Sequence, residues 1–293
     1  MKEINIFCFG FGQVAKNFIN KIKSEKININ LSVSSREKSQ KKNFNDIEYD
    51  SFQFSENTYD KALIKKLKKS DHILVSISPI NGSDIVVNRF LKIFNDIKPK
   101  WITYLSATSV YGDHKGSWVS EESKTKPTST MGIDRLKAEV SWLNLANKKN
   151  LPLQIFRLSG IYSNEKNILI RLKSGNEKII NKKNHYFSRI HVEDISNILF
   201  KSLTKFKPGE IYNISDDKPS LPEDIILYGI KILNMEKPEV IEVKDIKSEM
   251  LKNFYQDSKK VSNKKIKIFF NYSFKFPTYV EGLNYIQDKL IKF

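Results

Sequence analysis

The chain has 293 residues, 40% of them hydrophobic, 12% aromatic and 28% charged, which is enough apolar material for a large core and excludes a disordered or fibrous chain. With 11 Gly and 9 Pro it is neither linker-rich nor collagen-like, and it has no run of about 18 uncharged apolar residues to cross a membrane. The net charge of +17 is spread evenly, with 25 basic and 16 acidic side chains in residues 1–150 and 25 and 17 after them; only six of the 50 basic residues are Arg, so no nucleic-acid partner is expected.

The run Met1–Phe11 is apolar but carries Glu3 and Gly10, so it reads as a first strand and not as a signal peptide. Apolar runs then alternate with helical patterns. Strands are predicted at Ile4–Phe9, Ile29–Val33, His72–Ile77, Trp101–Leu105 and Leu153–Leu158, and helices at the stretch to Ile22, at Tyr59–Leu67, Asp84–Phe94 and Ile133–Ala146. This alternation predicts an α/β fold with a doubly wound parallel sheet, because parallel strands need crossover connections. Beyond about Gly160 it weakens. Helices are predicted at Asn167–Lys173, after His191, at Pro222–Leu233 and at Tyr279–Leu290, with one strand at Ile211–Ile214, so a smaller, mostly helical C-terminal lobe is expected. The single cysteine, Cys8, allows no internal disulfide and no cysteine-based zinc site, and the expected compartment is cytoplasmic. The four histidines, at 72, 114, 185 and 191, lack metal-ligand spacing.

The sharpest local pattern is Gly10-Phe11-Gly12-Gln13-Val14-Ala15, a G-x-G-x-x-A between the first strand and the first helix. Gly10 permits a tight turn, Gly12 lets a pyrophosphate approach the backbone, and Ala15 keeps the helix close to the sheet. Phe11, Gln13 and Val14 then lie at the helix N-terminus, whose free N–H groups suit phosphates. The second strand ends in Ser34-Ser35-Arg36 where an NAD site would carry a carboxylate; Ser35 and Arg36 therefore predict NADP, with NAD the alternative. Ser78 and Ser106, near the ends of the next two strands, complete the expected cofactor set.

Tyr104 to Asp113 ends in Val110-Tyr111-Gly112-Asp113 after a Ser/Thr-rich strand end. Arg157 to Tyr162 reads R-x-x-x-I-Y, Ser188 to Ile195 contains R-I-H-V-E-D, and Ile211 to Ile214 follows as a strand. In this order the segments resemble the NAD-dependent epimerase/dehydratase family of extended short-chain dehydrogenase/reductases, from residue 4 to about 215. The resemblance implies a Rossmann domain over 1–160, to which the strand near 211–214 returns, and a smaller substrate lobe over 161–293.

In that family a Tyr-x-x-x-Lys pair and an upstream Ser or Thr carry the chemistry. Here those positions fall on Met131, Arg135 and Ala107. A thioether cannot transfer a proton, so the pattern resembles the atypical branch of the superfamily. Arg135 keeps the positive charge for the nicotinamide ribose, and Asp134, Asp84, Thr108 and Tyr111 are the candidate replacement groups. For Asp84 the competing expectation is a helix cap, and for Tyr111 a packing role. The resemblance also implies substrate contacts at Arg189 and His191, weighed against a structural role in which His191 bonds backbone and Asp194 caps the next helix. The expected function is an NADP-binding epimerase/dehydratase-like or oxidoreductase protein. Its expected partner is a small sugar-like or nucleotide-linked substrate, with no membrane and with a homodimer compatible. The alternative is a catalytically silent NADP-binding sensor.

Overall fold

Runs of buried Ile, Val, Leu and Phe build one central sheet in the computed structural model, which describes residues 3–175 and 177–291. The chain begins β1 (Ile4–Phe9), α1 (Gln13–Ser24), β2 (Ile29–Ser35), β3 (Gln40–Phe44), β4 (Ile47–Gln53), α2 (Ala62–Leu67), β5 (His72–Val75), α3 (Ile85–Phe90) and β6 (Trp101–Ala107). It continues with β7 (Trp118–Val119), α4 (Thr130–Lys149), β8 (Leu153–Leu158), β9 (Gly160–Tyr162), α5 (Ile168–Lys173), β10 (Ile179–Asn181), β11 (Arg189–His191), α6 (Val192–Ser202) and β12 (Ile211–Ile214). Last come α7 (Pro222–Leu233), β13 (Val240–Glu242), α8 (Glu249–Gln256), β14 (Lys260–Val261), α9 (Lys264–Phe270) and α10 (Tyr279–Ile291).

Eight strands form the main sheet in the order β12-β8-β6-β5-β1-β2-β4-β3. Pairs β1–β2, β1–β5, β2–β4 and β5–β6 are parallel, with Phe7 beside Ser32 on one side and Ile73 on the other. The order reverses between β1 and β5, and such a switch point is where doubly wound folds open a ligand crevice at the carboxyl ends of the strands. β5 stops at Val75, two residues short of the predicted run, where the Ser76 hydroxyl turns to donate to the Phe9 and Gly10 carbonyls at 3.0 and 3.2 Å.

One hairpin was not legible in the apolar pattern. β3 runs antiparallel to β4 at the sheet edge, and Asn45 and Asp46 between them hold φ of 48° and 60°, the two left-handed residues of a type I′ turn. No crossover helix intervenes between β2 and β4; the chain passes through this polar edge strand instead.

The chain divides into two compact units: Met1–Ala107 with Ile133–Arg157 and Ile195–Tyr212, and Thr108–Gly132 with Leu158–Asp194 and Asn213–Phe293. The units interleave along the chain; the sequence reading sets a boundary near residue 160 with the strand near 211–214 returning to the first domain, and the first unit here takes Ile195–Tyr212. The first has a core that includes Phe7, Phe9, Ile73, Tyr104 and Trp142, each fully buried; burying such a side chain is worth roughly 1.5–3 kcal/mol. In the second, Tyr162, Leu169, Ile225, Leu283 and Ile286 hold α5, α7 and α10 together. It also carries the short pairs β9–β11, β10–β13 and β7–β14.

Candidate functional site

The loop after β1 contains two glycines under different constraints. Gly10 has φ +86°, and a Cβ there would lie 2.8 Å from the Ser76 Oγ, so the fold itself requires glycine. Its N–H donates to the Ser34 Oγ at 3.2 Å. Gly12 has φ −85°, and apart from its two chain neighbours no atom of the described residues lies within 4 Å of a Cβ built on it. Neither backbone nor packing demands glycine there, and the space left open is what a diphosphate approaching the backbone requires. Gly12 begins α1 without a capping side chain, leaving N–H groups at a helix N-terminus that favours anions. Val14 and Ala15 bury the helix against the sheet, and the Gln13 amide nitrogen is buried without a hydrogen-bond partner among the described residues. This set fits a dinucleotide.

The loop opens on a cleft of about 640 Å³, whose lining includes Gly10, Phe11, Ser35, Arg36, Lys42 and Ser78. The end of β2 presents hydroxyls in place of a carboxylate. Ser35 shares a hydrogen bond with the Ser51 hydroxyl at 3.2 Å, and Arg36 is exposed with no ion-pair partner among the described residues. Glu37, a carboxylate of the lining that follows Arg36 in the chain, is bound by Lys42, whose hydrogen bond and charge lower its pKa. Phe11 packs on Phe44 and Tyr49 with ring centroids 5.3 and 5.2 Å apart, which ties the hairpin to the glycine loop. Lys42, Phe44 and Tyr49 were not singled out from the sequence; Asn45-Asp46 was the one available turn signal, and it lacks the glycine that marks such hairpins most clearly.

Arg135 sits one helical turn after Met131 in α4. It donates to the Leu105 carbonyl at 2.8 Å and the Ser78 Oγ at 2.7 Å, so its guanidinium is fixed at the carboxyl ends of β5 and β6. Met131 is 63% exposed. Asp134 is half-buried beside Gly82, where a Cβ would lie 3.4 Å from its Oδ1. The Ser106 Oγ is buried with no partner among the described residues.

Two candidate proton carriers are occupied by the fold. Asp84 accepts from the Val86 and Val87 N–H groups at the start of α3 and from the Trp142 indole at 3.0 Å. Burial raises its pKa, and both oxygens serve structure. In the second unit Tyr111 is fully buried and donates to the Asn213 Oδ1 at 2.7 Å. Gly112 after it has φ +68°, and a Cβ would overlap the Lys126 carbonyl at 1.7 Å, so the Val-Tyr-Gly-Asp turn is set by packing. Thr108 is buried in the turn that precedes it.

Arg189 is buried in the second unit. It donates to the Ser220 Oγ at 2.7 Å and the Phe187 carbonyl at 3.2 Å and lies over the Phe187 ring; burial brings its pKa down to about 10, against the pull of Asp216. With Lys166, Arg171, Phe187, Phe254 and Tyr255 it lines a pocket of about 380 Å³. His191 does not share that lining. It is fully buried between Tyr162 and Phe276, its Nδ1 accepts from the Glu193 N–H at 3.2 Å, and burial pushes its pKa down to about 4. Of the two expectations for His191, the structure shows the one in which it bonds backbone. Asp194 does not cap α6; it accepts from the Tyr272 hydroxyl and the Lys275 and Phe276 N–H groups. Among the described residues no group of three His, Cys, Asp or Glu is placed to hold a metal ion, and no helix is long and apolar enough to cross a membrane.

The model of the NAD dependent epimerase/dehydratase family matches residues 80–215. No curated protein sequence matches the chain significantly. Among solved structures, a functionally unknown conserved protein from Silicibacter pomeroyi is 29% identical with a TM-score of 0.84, over 97% of this chain and 98% of that one. The dTDP-glucose 4,6-dehydratase of Bacillus anthracis, in complex with NAD, is 18% identical with a TM-score of 0.77, over 99% and 97%. The UDP-glucuronic acid 4-epimerase of Bacillus cereus, also with NAD, is 16% identical with a TM-score of 0.78, over 99% of both chains. The likeness to these two enzymes is one of fold.

Proposed function

We propose that this chain, which has the extended short-chain dehydrogenase/reductase fold and resembles the NAD-dependent epimerase/dehydratase family, binds NADP in the cleft of its first unit and acts on a sugar-like or nucleotide-linked substrate. The observation that carries the cofactor reading is the open space at Gly12, at the start of an uncapped helix. Gly10, Gly12 and the N–H groups of Gln13 and Val14 hold the diphosphate, and Ser35 and Arg36 meet the extra phosphate. Bound NADP supplies a hydride donor or acceptor. Arg135, fixed by Leu105 and Ser78, offers a permanent positive charge where the family has lysine. The buried Arg189, which lines the aromatic pocket of the second unit, binds an anionic group of the substrate. The enzymes of like fold that contain NAD act on nucleotide sugars by name, which supports the substrate class.

A second reading has its own observation. Met131, largely exposed, occupies the tyrosine position and has no proton to transfer, as a silent NADP-binding sensor or regulatory protein would have it.

Calorimetry with NADP(H) and NAD(H) tests the cofactor. NADP(H) binds more tightly, and Arg36→Ala weakens it about tenfold while leaving NAD(H) nearly unchanged, the loss of one charge-assisted contact. Equal affinities in the wild type, or a preference for NAD(H), remove the phosphate clamp.

A further inference from the structure

We infer that Lys42, on the edge strand β3, acts with Arg36 to select the phosphorylated dinucleotide. The inference rests on the reading of the cleft as a dinucleotide site. With β3 in place of a crossover helix, the hairpin folds back along β4 and brings Lys42 into the lining with Ser35, Arg36 and Ser51. The strand period of two sends its neighbour the other way: Lys41 pairs with Glu48 at 2.8 Å and is not part of the lining. Phe44, on the same face of β3 as Lys42, packs on Phe11 of the glycine loop, and Lys16 lies 5.7 Å from its ring centroid. The position of Lys42 is thereby coupled to the loop that holds the diphosphate.

A phosphate monoester carries close to two negative charges and three acceptor oxygens, more than one guanidinium fork satisfies. Lys42 supplies a second, compact cation from the edge strand, two places from β2 in the sheet. Its partner Glu37 also lines the cleft. The carboxylate holds the ammonium there and at the same time sets a like charge beside an incoming phosphate, so the pair acts on affinity in opposite directions from its two ends. NAD lacks the phosphate and is indifferent to both.

Calorimetry on the full chain with NADP⁺ and NAD⁺ tests this in the wild type and in Lys42→Gln, Lys41→Gln and Glu37→Gln. Lys42→Gln weakens NADP⁺ about tenfold and keeps NAD⁺ within about twofold, which also shows the cleft intact. Glu37→Gln tightens NADP⁺. Lys41→Gln, with the same change in net charge, leaves the ratio of the two affinities as it was. An unchanged ratio in Lys42→Gln, or an equal loss in Lys41→Gln, overturns the inference. If Arg36→Ala collapses the ratio and Lys42→Gln does not, the role of Lys42 falls and the dinucleotide reading stands. If the wild type binds neither dinucleotide, both fall.

Discussion

At Gly10 the protein itself refuses a side chain, since φ is positive and the Ser76 hydroxyl stands 2.8 Å from any Cβ. Gly10→Ala is expected to cost about 1–2 kcal/mol or more, visible as a lower melting temperature. Gly12→Val meets no described neighbour, so it keeps a near wild-type melt and loses both dinucleotides. Normal binding by that variant would reduce the loop to an ordinary turn. These two glycines and Arg36 were legible in the sequence because a short motif carries its own local geometry. For Asp84, Tyr111 and His191 the sequence offered a structural role beside the chemical one, and the structure shows the helix cap, the buried bonded hydroxyl and the bond to backbone; their other partners, Trp142, Asn213 and Phe276, lie far away in the chain and could not be read from it.

The strands β1, β2, β5, β6 and β8 were readable because buried parallel strands are continuous apolar runs. β3 was not, since Gln40-Lys41-Lys42-Asn43-Phe44 carries one apolar residue in five and reads as loop. α8 and α9 were missed likewise, as was the near juxtaposition of Lys42 and Arg36 in one lining. The helix α4 bears most directly on the proposed function, because its first turns set Met131 and Arg135 one above the other as an i, i+4 pair. Met131→Tyr with Arg135→Lys and Ala107→Ser rebuilds the family's set. Loss of a general acid or base costs on the order of 10² to 10⁴ in rate. If the natural chain is a lapsed enzyme, the rebuilt one gains NADPH turnover with carbonyl or nucleotide-sugar substrates and the natural one shows none. Turnover by the natural chain that Asp134→Asn abolishes, with the melt unchanged, gives the tyrosine's work to that carboxylate and ends the sensor reading.

For the molecule as a whole, three buried imidazoles tie stability to pH. Burial pushes His72, His185 and His191 each down to about 4, whereas an unfolded histidine titrates near 6.5. The unfolded chain therefore binds more protons between those values. The stability that these groups contribute is complete above about pH 6.5 and is lost as pH falls toward 4, at most about 3 kcal/mol per ring. Asp216, whose pKa burial raises, works in the opposite sense, so a single replacement isolates the effect. His185 stacks on Tyr255, and neither ring nitrogen has a partner among the described residues. His185→Phe should melt higher at pH 7 and lose less between pH 7 and pH 5; an equal loss in both proteins would mean that His185 does not titrate there. The interleaving of the two units bears on synthesis as well. The first unit needs Ile195–Tyr212, and β12 covers the flank of β8 in the sheet. A ribosome that has released only the first 160 residues thus holds a sheet whose apolar β8 is still an open edge, a template for pairing with other nascent chains. Until some fifty more residues emerge, protection of that edge falls to chaperones and not to the protein's own fold.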